Sequence, residues 1–212
     1  MPGVAKHNYG APEKSDSLFG ERRSSERYEA CDEEECYSMK KFLIVVDMQK
    51  DFVDGSLGTK EAQAIIDNSV REISEFDGEI IATLDTHFDN YLDTAEGRKL
   101  PVIHCVKDTA GWQIDGRIRE ALDKKGYTQI IKYTFGSTLL PEIIRNKTNG
   151  EEFSAELIGL CTDICVVSNA LLLKANFPEM SISVKADCCA GVTPDLHRSA
   201  LETMKSCQID II

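Results

Sequence analysis

Six short, largely apolar segments recur along this chain, and stretches with helical spacing separate most of them. The predicted strands are residues 42–46, 79–84, 129–131, 155–158, 182–184 and 208–212, and the predicted helices are 62–73, 114–122, 139–144, 168–174 and 194–204. Strands that are apolar throughout are typical of a parallel sheet, because helices then cover both of its faces. The sequence therefore predicts an α/β domain with a parallel sheet between two layers of helices.

Residues 1–38 differ in composition from the rest of the chain. They are polar, and they show neither helical nor strand periodicity. Such a segment has too little apolar surface to form a core, so we predict a flexible extension there. The predicted domain is then 39–212, and Met39 would suit as its first residue.

Charge and cysteine usage exclude several classes of protein. The net charge of −12 argues against a surface that binds nucleic acid or an anionic membrane. The N-terminus lacks the apolar segment of a signal peptide, and no apolar run reaches the roughly 20 residues of a membrane span. The eight cysteines include no CxxC pair, and Cys188 and Cys189 are adjacent, which disfavours a disulfide framework. We expect a cytoplasmic protein with reduced thiols and neither nucleic-acid nor membrane partners; a homo-oligomer stays open.

Three chemically complementary side chains follow three predicted strands. Asp47 comes directly after the first strand, Lys132 ends the third, and Cys165 follows the fourth where a helix begins. Functional sites of open parallel sheets lie at the carboxyl ends of the strands, so these groups should meet. A helix N-terminus and a cation favour a thiolate, and a carboxylate can accept the thiol proton. Each residue alone has an ordinary structural role, but together they predict nucleophilic catalysis.

A second polar group follows the second predicted strand. It contains Asp85, His87, Glu96 and His104, and two imidazoles with two carboxylates suit zinc, iron or manganese. A carboxylate–histidine hydrogen bond without a metal would explain the first two residues equally well. We interpret His197, inside the last predicted helix, as structural. The first strand is followed by neither a Walker loop nor a GxGxxG motif, which disfavours nucleotide binding.

Four segments resemble the isochorismatase-like cysteine hydrolases, particularly nicotinamidases. They are VDMQKDF at 46–52, LPVIHC at 100–105, TDICV at 162–166 and DCCAGVTP at 187–194. The segment around Cys165 is the most specific of the four, and the resemblance covers residues 42–212.

The resemblance implies a six-stranded parallel sheet with helices on both faces and a catalytic triad of Asp47, Lys132 and Cys165. It also implies a cis peptide bond between Leu160 and Cys161, which would direct the backbone N–H groups of Cys161 and Cys165 at one oxyanion position.

The resemblance further implies one divalent ion, with zinc the first expectation, on Asp85, His87, Glu96 and His104. The chain departs from the common family pattern at two positions. Thr86 stands where a tryptophan is frequent, and Glu96 stands where a further histidine is common. The nucleophilic Cys165 also argues against an isochorismatase proper.

The activity implied by the resemblance is hydrolysis of nicotinamide to nicotinate and ammonia through a thioester. The ion would hold the pyridine nitrogen, and Phe52, Trp112 and Phe135 are candidate walls for the ring. A cysteine hydrolase of another small amide or carbamoyl compound is the nearest alternative. An isochorismatase-type hydrolase, and a non-catalytic scaffold that binds a partner through its acidic extension, are the more distant alternatives.

Overall fold

The computed structural model describes residues 39–212, so the predicted extension at 1–38 lies outside the described residues. Six parallel strands form one sheet in the order β3-β2-β1-β4-β5-β6. The strands are β1 (Lys40–Val46), β2 (Glu79–Asp85), β3 (Thr128–Lys132), β4 (Phe153–Leu160), β5 (Ser181–Ala190) and β6 (Asp210–Ile211). The predicted six-stranded parallel sheet is confirmed.

Seven α-helices connect and cover the strands of the described domain. They are α1 (Lys50–Val53), α2 (Lys60–Ala64), α3 (Ile66–Glu75), α4 (Gly116–Lys125), α5 (Leu139–Thr148), α6 (Val167–Asn176) and α7 (Pro194–Ser206). A 3-10 turn at Tyr91–Asp93 and a π-helical turn at Thr162–Val166 complete the set. The longest helix, α7, has 13 residues, so none of the described helices is long enough to cross a bilayer.

Both faces of the sheet are buried, which explains the uninterrupted apolar run of β1. Leu43 and Val45 belong to a core with α3 and α4, whereas Phe42, Ile44 and Val46 belong to a second core with α5, α6 and α7. Successive side chains of a strand point to opposite faces, so each face of β1 needs its own apolar residues. The expected helical layers on both sides are present.

The strand order places the ends of β1 and β4 side by side where the chain changes direction across the sheet. β2 and β3 lie on one side of β1, and β4, β5 and β6 lie on the other. Ligands of open α/β sheets bind outside the carboxyl ends at such a switch point. Gly159 permits the close approach, because its φ is +122° and a Cβ there would lie 2.1 Å from the Val46 carbonyl oxygen.

Candidate active site

Asp47, Lys132 and Cys165 meet at the carboxyl edge of the sheet. The Lys132 Nζ lies 2.7 Å from Asp47 Oδ2 and 3.5 Å from Cys165 Sγ. The three residues are 0%, 3% and 4% exposed, respectively. A buried ammonium thus contacts a carboxylate and a thiol. The three residues were expected to meet because each lies at or just after the carboxyl end of a parallel strand.

Asp47 presents its two carboxylate oxygens differently. Its backbone has a φ of +47°, a left-handed conformation that aspartate adopts more readily than most residues. Oδ1 accepts a hydrogen bond of 2.7 Å from Thr83 Oγ1, while Oδ2 is ion-paired to Lys132 without hydrogen-bond geometry. Burial raises the pKa of Asp47, and Lys132 opposes this rise. Oδ2 is therefore the oxygen that can receive a proton.

Cys165 lies in the π-helical turn that joins β4 to α6. The Val166 N–H donates to the Cys161 carbonyl at 3.1 Å, five residues back, and Asn169 Nδ2 donates to the Cys165 carbonyl at 2.8 Å. Such π-helical turns occur frequently at functional sites, where they change the direction of one side chain.

The protonation state of Cys165 differs from the sequence prediction. Burial raises the pKa of this thiol well above its ordinary value, and the Asp47 charge raises it further. Lys132 lowers the pKa, but its contribution is smaller than that of burial. The resting group is therefore a thiol rather than a thiolate, so ionisation has to accompany attack.

The cis peptide bond expected between Leu160 and Cys161 is present. Cys161 begins the turn that carries Cys165, and both side chains border the same cavity. Burial raises the pKa of the Cys161 thiol to about 12, so this second thiol is a poor nucleophile near neutral pH.

A set of nitrogen and oxygen donors converges beside the triad. Suitable atoms of Asp85, His87 and His104 all lie within 4.8 Å of one another. Glu96 Oε1 lies 3.6 Å from His87 Nε2 and 3.7 Å from His104 Nε2. The four residues predicted as metal ligands are therefore close together.

The protonation of His104 suits coordination. Its Nδ1 lies 2.8 Å from the Val102 carbonyl oxygen, which can only accept, so Nδ1 is the donor and Nε2 is the ring nitrogen left to face the other donor atoms. His87 Nε2 is buried without a hydrogen-bond partner, although Asp85 Oδ2 lies 3.0 Å away. Two imidazoles and the Asp85 carboxylate close together, with Glu96 beside both imidazoles, fit a divalent ion such as zinc.

A cavity of about 590 Å³ adjoins both the donor set and Cys165. Cys161 and Cys165 line it, and so do Asp85, Glu96 and His104. Most of its wall is apolar, and cavities of about 300–1,000 Å³ hold drug-sized ligands. The cavity therefore gives one small molecule access to both groups.

Of the three predicted ring walls, two border this cavity. Phe52 and Phe135 line it, but Trp112 does not. Trp112 is 8% exposed and belongs to one of the two hydrophobic cores. Its Nε1 donates a hydrogen bond of 2.8 Å to Thr86 Oγ1. A buried indole N–H needs an acceptor, and the acceptor of Trp112 is Thr86 rather than a group that lines the cavity.

Sequence reasoning overlooked Asp51, which supports a ligand loop. Its Oδ2 accepts a hydrogen bond of 2.7 Å from the Cys105 N–H, directly after His104. A Cβ at Gly111 would lie 2.1 Å from the same oxygen, so any larger residue there would displace the Asp51 carboxylate. Asp51 lies four residues after Asp47 within the 46–52 motif, and this position could have indicated a role near the site.

His197 has a more specific position than the structural role predicted for it. Its Nδ1 lies 2.8 Å from Thr162 Oγ1, in the turn that carries Cys165. Asp163 in the same turn accepts a hydrogen bond of 3.0 Å from the Val192 N–H. The start of α7 thus holds the nucleophile turn through two side-chain contacts.

Comparison with known proteins agrees with this geometry. Residues 41–212 match the family model of the isochorismatase domain, which confirms the resemblance seen in the sequence. The nicotinamidase/pyrazinamidase of Mycobacterium tuberculosis is 28% identical over 189 residues, covering 80% of this chain and 97% of that protein.

Two crystal structures are also similar. The nicotinamidase/pyrazinamidase PncA of Bacillus subtilis is 26% identical with a TM-score of 0.70, covering 82% of this chain and 99% of that one. The pyrazinamidase of Pyrococcus horikoshii, solved in complex with zinc, is 30% identical with a TM-score of 0.67, covering 82% and 98%.

Proposed function

This chain belongs to the isochorismatase family, and we propose that it is a metal-dependent cysteine amidohydrolase that converts nicotinamide to nicotinate and ammonia. The observation that carries the proposal is the buried contact of Lys132 with both Asp47 and Cys165, beside a cavity that is also lined by Asp85, Glu96 and His104 of the proposed metal site. Relatives named as nicotinamidases or pyrazinamidases support the choice of substrate.

The first step is attack of Cys165 on the carboxamide carbon. The thiol has a raised pKa, so it transfers its proton to Asp47 Oδ2 as the sulfur–carbon bond forms. Asp47 then returns this proton to the nitrogen of the tetrahedral intermediate. The carbon–nitrogen bond breaks, ammonia leaves, and the acyl group stays on sulfur as a thioester.

Lys132 keeps the triad in the required charge state. Burial alone would favour a neutral Asp47, and the ammonium 2.7 Å away favours the carboxylate. The same ammonium lies 3.5 Å from the sulfur, where it stabilises the developing negative charge.

The backbone N–H groups of Cys161 and Cys165 are the proposed donors to the oxyanion. Hydrogen-bond donors that are fixed before the reaction stabilise a tetrahedral intermediate without reorganising, and each is worth roughly 3–4 kcal/mol in comparable sites. Water then attacks the thioester while Asp47 takes its proton, the carbon–sulfur bond breaks, and the proton returns to the Cys165 sulfur as nicotinate is released.

Asp85, His87, Glu96 and His104 would hold the divalent ion, with zinc as the first candidate. When bound, the ion would supply a coordination position for the ring nitrogen and so orient the ring. Phe52 and Phe135 would contact the ring faces within the cavity. The carboxamide would then point toward Cys165, which lines the same cavity.

One alternative keeps the triad and changes the amide. A single-ring amide is small for a cavity of about 590 Å³, which favours a larger carboxamide or carbamoyl compound as the second candidate. Such a substrate would use the same nucleophile and proton path, so only the substrate panel separates the two candidates.

The test is ammonia release from nicotinamide, pyrazinamide, benzamide and a ureido acid, with metal analysis of the same sample. Benzamide has the carboxamide without the ring nitrogen, so we expect it to be a poor substrate. The variant His87→Ala should lose nicotinamide turnover heavily while keeping the fold. Protein without stoichiometric metal, or equal turnover of benzamide and nicotinamide, would contradict the nicotinamidase assignment and leave the cysteine-hydrolase assignment intact.

A further inference from the structure

Thr86 is buried between two of the metal-binding residues, Asp85 and His87. Successive side chains of an extended segment alternate in direction, so Thr86 points away from the side shared by its two neighbours. Its hydroxyl accepts the 2.8 Å hydrogen bond from Trp112 Nε1 and donates to the Leu84 carbonyl at 3.2 Å. The backbone between the two ligands is therefore anchored from behind.

Gln49 closes this arrangement into a network. Its Nε2 donates to the Asp85 carbonyl at 2.9 Å and to the Trp112 carbonyl at 2.8 Å. Its Oε1 accepts the Asp85 N–H at 2.8 Å. Gln49 is fully buried, and both ends of its amide are satisfied, so it ties the Trp112 segment to the end of β2.

We propose that Gln49, Thr86 and Trp112 form a buried brace of positioning residues that sets the metal affinity of the site. The proposal rests on the metal site of the proposed function. None of the three residues borders the cavity, so the brace acts only through the ligands that it holds. Outer partners of metal ligands typically change metal affinity by about 10- to 100-fold when they are removed.

The brace holds the ligand backbone rather than a ligand side chain. Asp85 is fixed at its N–H and its carbonyl by Gln49, and the next residue is fixed at its hydroxyl by Trp112. With the backbone fixed at these points, the Asp85 and His87 side chains leave from defined positions. Loosening the hydroxyl bond should therefore weaken coordination without removing any donor atom.

The test compares Thr86→Val with Thr86→Ser in full-length protein loaded with zinc. Valine matches the shape of threonine but leaves the buried indole N–H without an acceptor, whereas serine keeps the hydroxyl. Zinc affinity is measured by competition with a chromophoric chelator. We expect Thr86→Val to bind zinc about 10- to 100-fold more weakly and Thr86→Ser to stay near wild type.

Trp112 supplies a direct optical readout, because it is the only tryptophan in the chain. Its emission should change as zinc is withdrawn from the wild type, and this change should be smaller in Thr86→Val. The variant Trp112→Phe, measured by the same competition, should weaken binding to a similar extent, and the double variant should be no weaker than the worse single one.

Each outcome decides a specific point. Wild-type affinity in both Thr86→Val and Trp112→Phe, with only a lower melting temperature, would overturn the brace and leave the proposed function standing. Should Thr86→Val fail to fold, Trp112→Phe alone decides by the same criterion. A wild-type protein that holds no divalent ion would contradict the metal site and the brace together, while amide hydrolysis by Cys165 would still be measurable.

Discussion

The Lys132 ammonium donates a hydrogen bond of 3.1 Å to Asp85 Oδ1, so the lysine beside Cys165 also contacts a carboxylate of the proposed metal site. The other oxygen of Asp85 faces His87 and His104. One carboxylate therefore serves both parts of the site. Lys132 in turn balances two buried carboxylates, those of Asp47 and Asp85.

This arrangement makes Lys132 important for stability. The variant Lys132→Met leaves two buried carboxylates without their counter-ion, and breaking a buried pair costs about 3–5 kcal/mol. We expect the free energy of unfolding in urea to fall by about this amount, together with activity. Lys124→Met is a matched control, because the Lys124 pair with Glu120 is exposed and should be worth less than about 1 kcal/mol. Equal effects of the two variants would contradict the role of Lys132.

The two cysteines of the cavity should behave differently. Cys165→Ala should abolish turnover, because none of the other groups beside Lys132 can form the thioester. Cys161→Ala should keep much of the activity, since only the Cys161 backbone is assigned to the oxyanion. Rates of ammonia release, with mass spectrometry of the acylated peptide, check both expectations. Equal loss in the two variants would reassign the nucleophile.

Removal of Asp47 should make Cys165 easier to ionise and yet inactive. Burial raises the pKa of Cys165 most, and the Asp47 charge raises it further, so Asp47→Asn should lower this pKa while Lys132 remains. The alkylation rate of the Cys165 peptide, followed by mass spectrometry against pH, should move to lower pH. Turnover should be lost, because the proton acceptor is gone. An unchanged alkylation profile would remove Asp47 from the site.

Residues 1–38 should be dispensable for folding and activity. The described domain has a core on each face of the sheet, and residues 1–38 are polar and offer little apolar surface to add to either. A protein that begins at Met39 should therefore match the full chain in ammonia release and melting temperature. Aggregation or loss of activity in the shorter protein would show that the extension docks on the domain.

The sheet was predictable because each strand had to be apolar on both faces. Helix boundaries were less predictable than the strands. Residues 62–73 keep one helical period, although the chain forms two helices there. The first, α2 (Lys60–Ala64), is capped by Thr59, whose hydroxyl accepts the Ala62 N–H at 3.0 Å, and Ile65 separates it from α3. The period of the apolar residues does not reveal where one helix ends and the next begins.

Parts of the site were predictable from the topology of the parallel sheet. Asp47, Lys132 and Cys165 follow parallel strands, so their meeting follows from the sheet alone. The environment of Trp112 did not follow, because its contact with Thr86 joins residues 26 positions apart through loops. The raised pKa of Cys165 was equally hidden, since it depends on the extent of burial rather than on which residues are near.

Glu156 provides a pH-dependent test of the structure away from the active site. This glutamate of β4 has a buried Oε1 without a hydrogen-bond partner, and burial together with the charge of Glu72 raises its pKa. Lys185 opposes the rise, but it lies 2.6 Å from Glu72 and is paired there. Protonated Glu156 is therefore favoured more in the folded protein than in the unfolded chain.

A raised folded-state pKa fixes the sign of the pH effect. Protonated Glu156 contributes its full stabilisation below the pKa of a glutamate in the unfolded chain, about 4.3. This stabilisation is lost as the pH rises through the pKa of Glu156 in the folded protein. Glu156→Gln has no charge to bury. The melting temperature of this variant minus that of the wild type should therefore increase from pH 4 to pH 8, on the order of a few degrees. Glu202→Gln, at an exposed position of α7, should show no such gain. A constant difference between Glu156→Gln and wild type across this range would show that Glu156 titrates as an ordinary surface carboxylate.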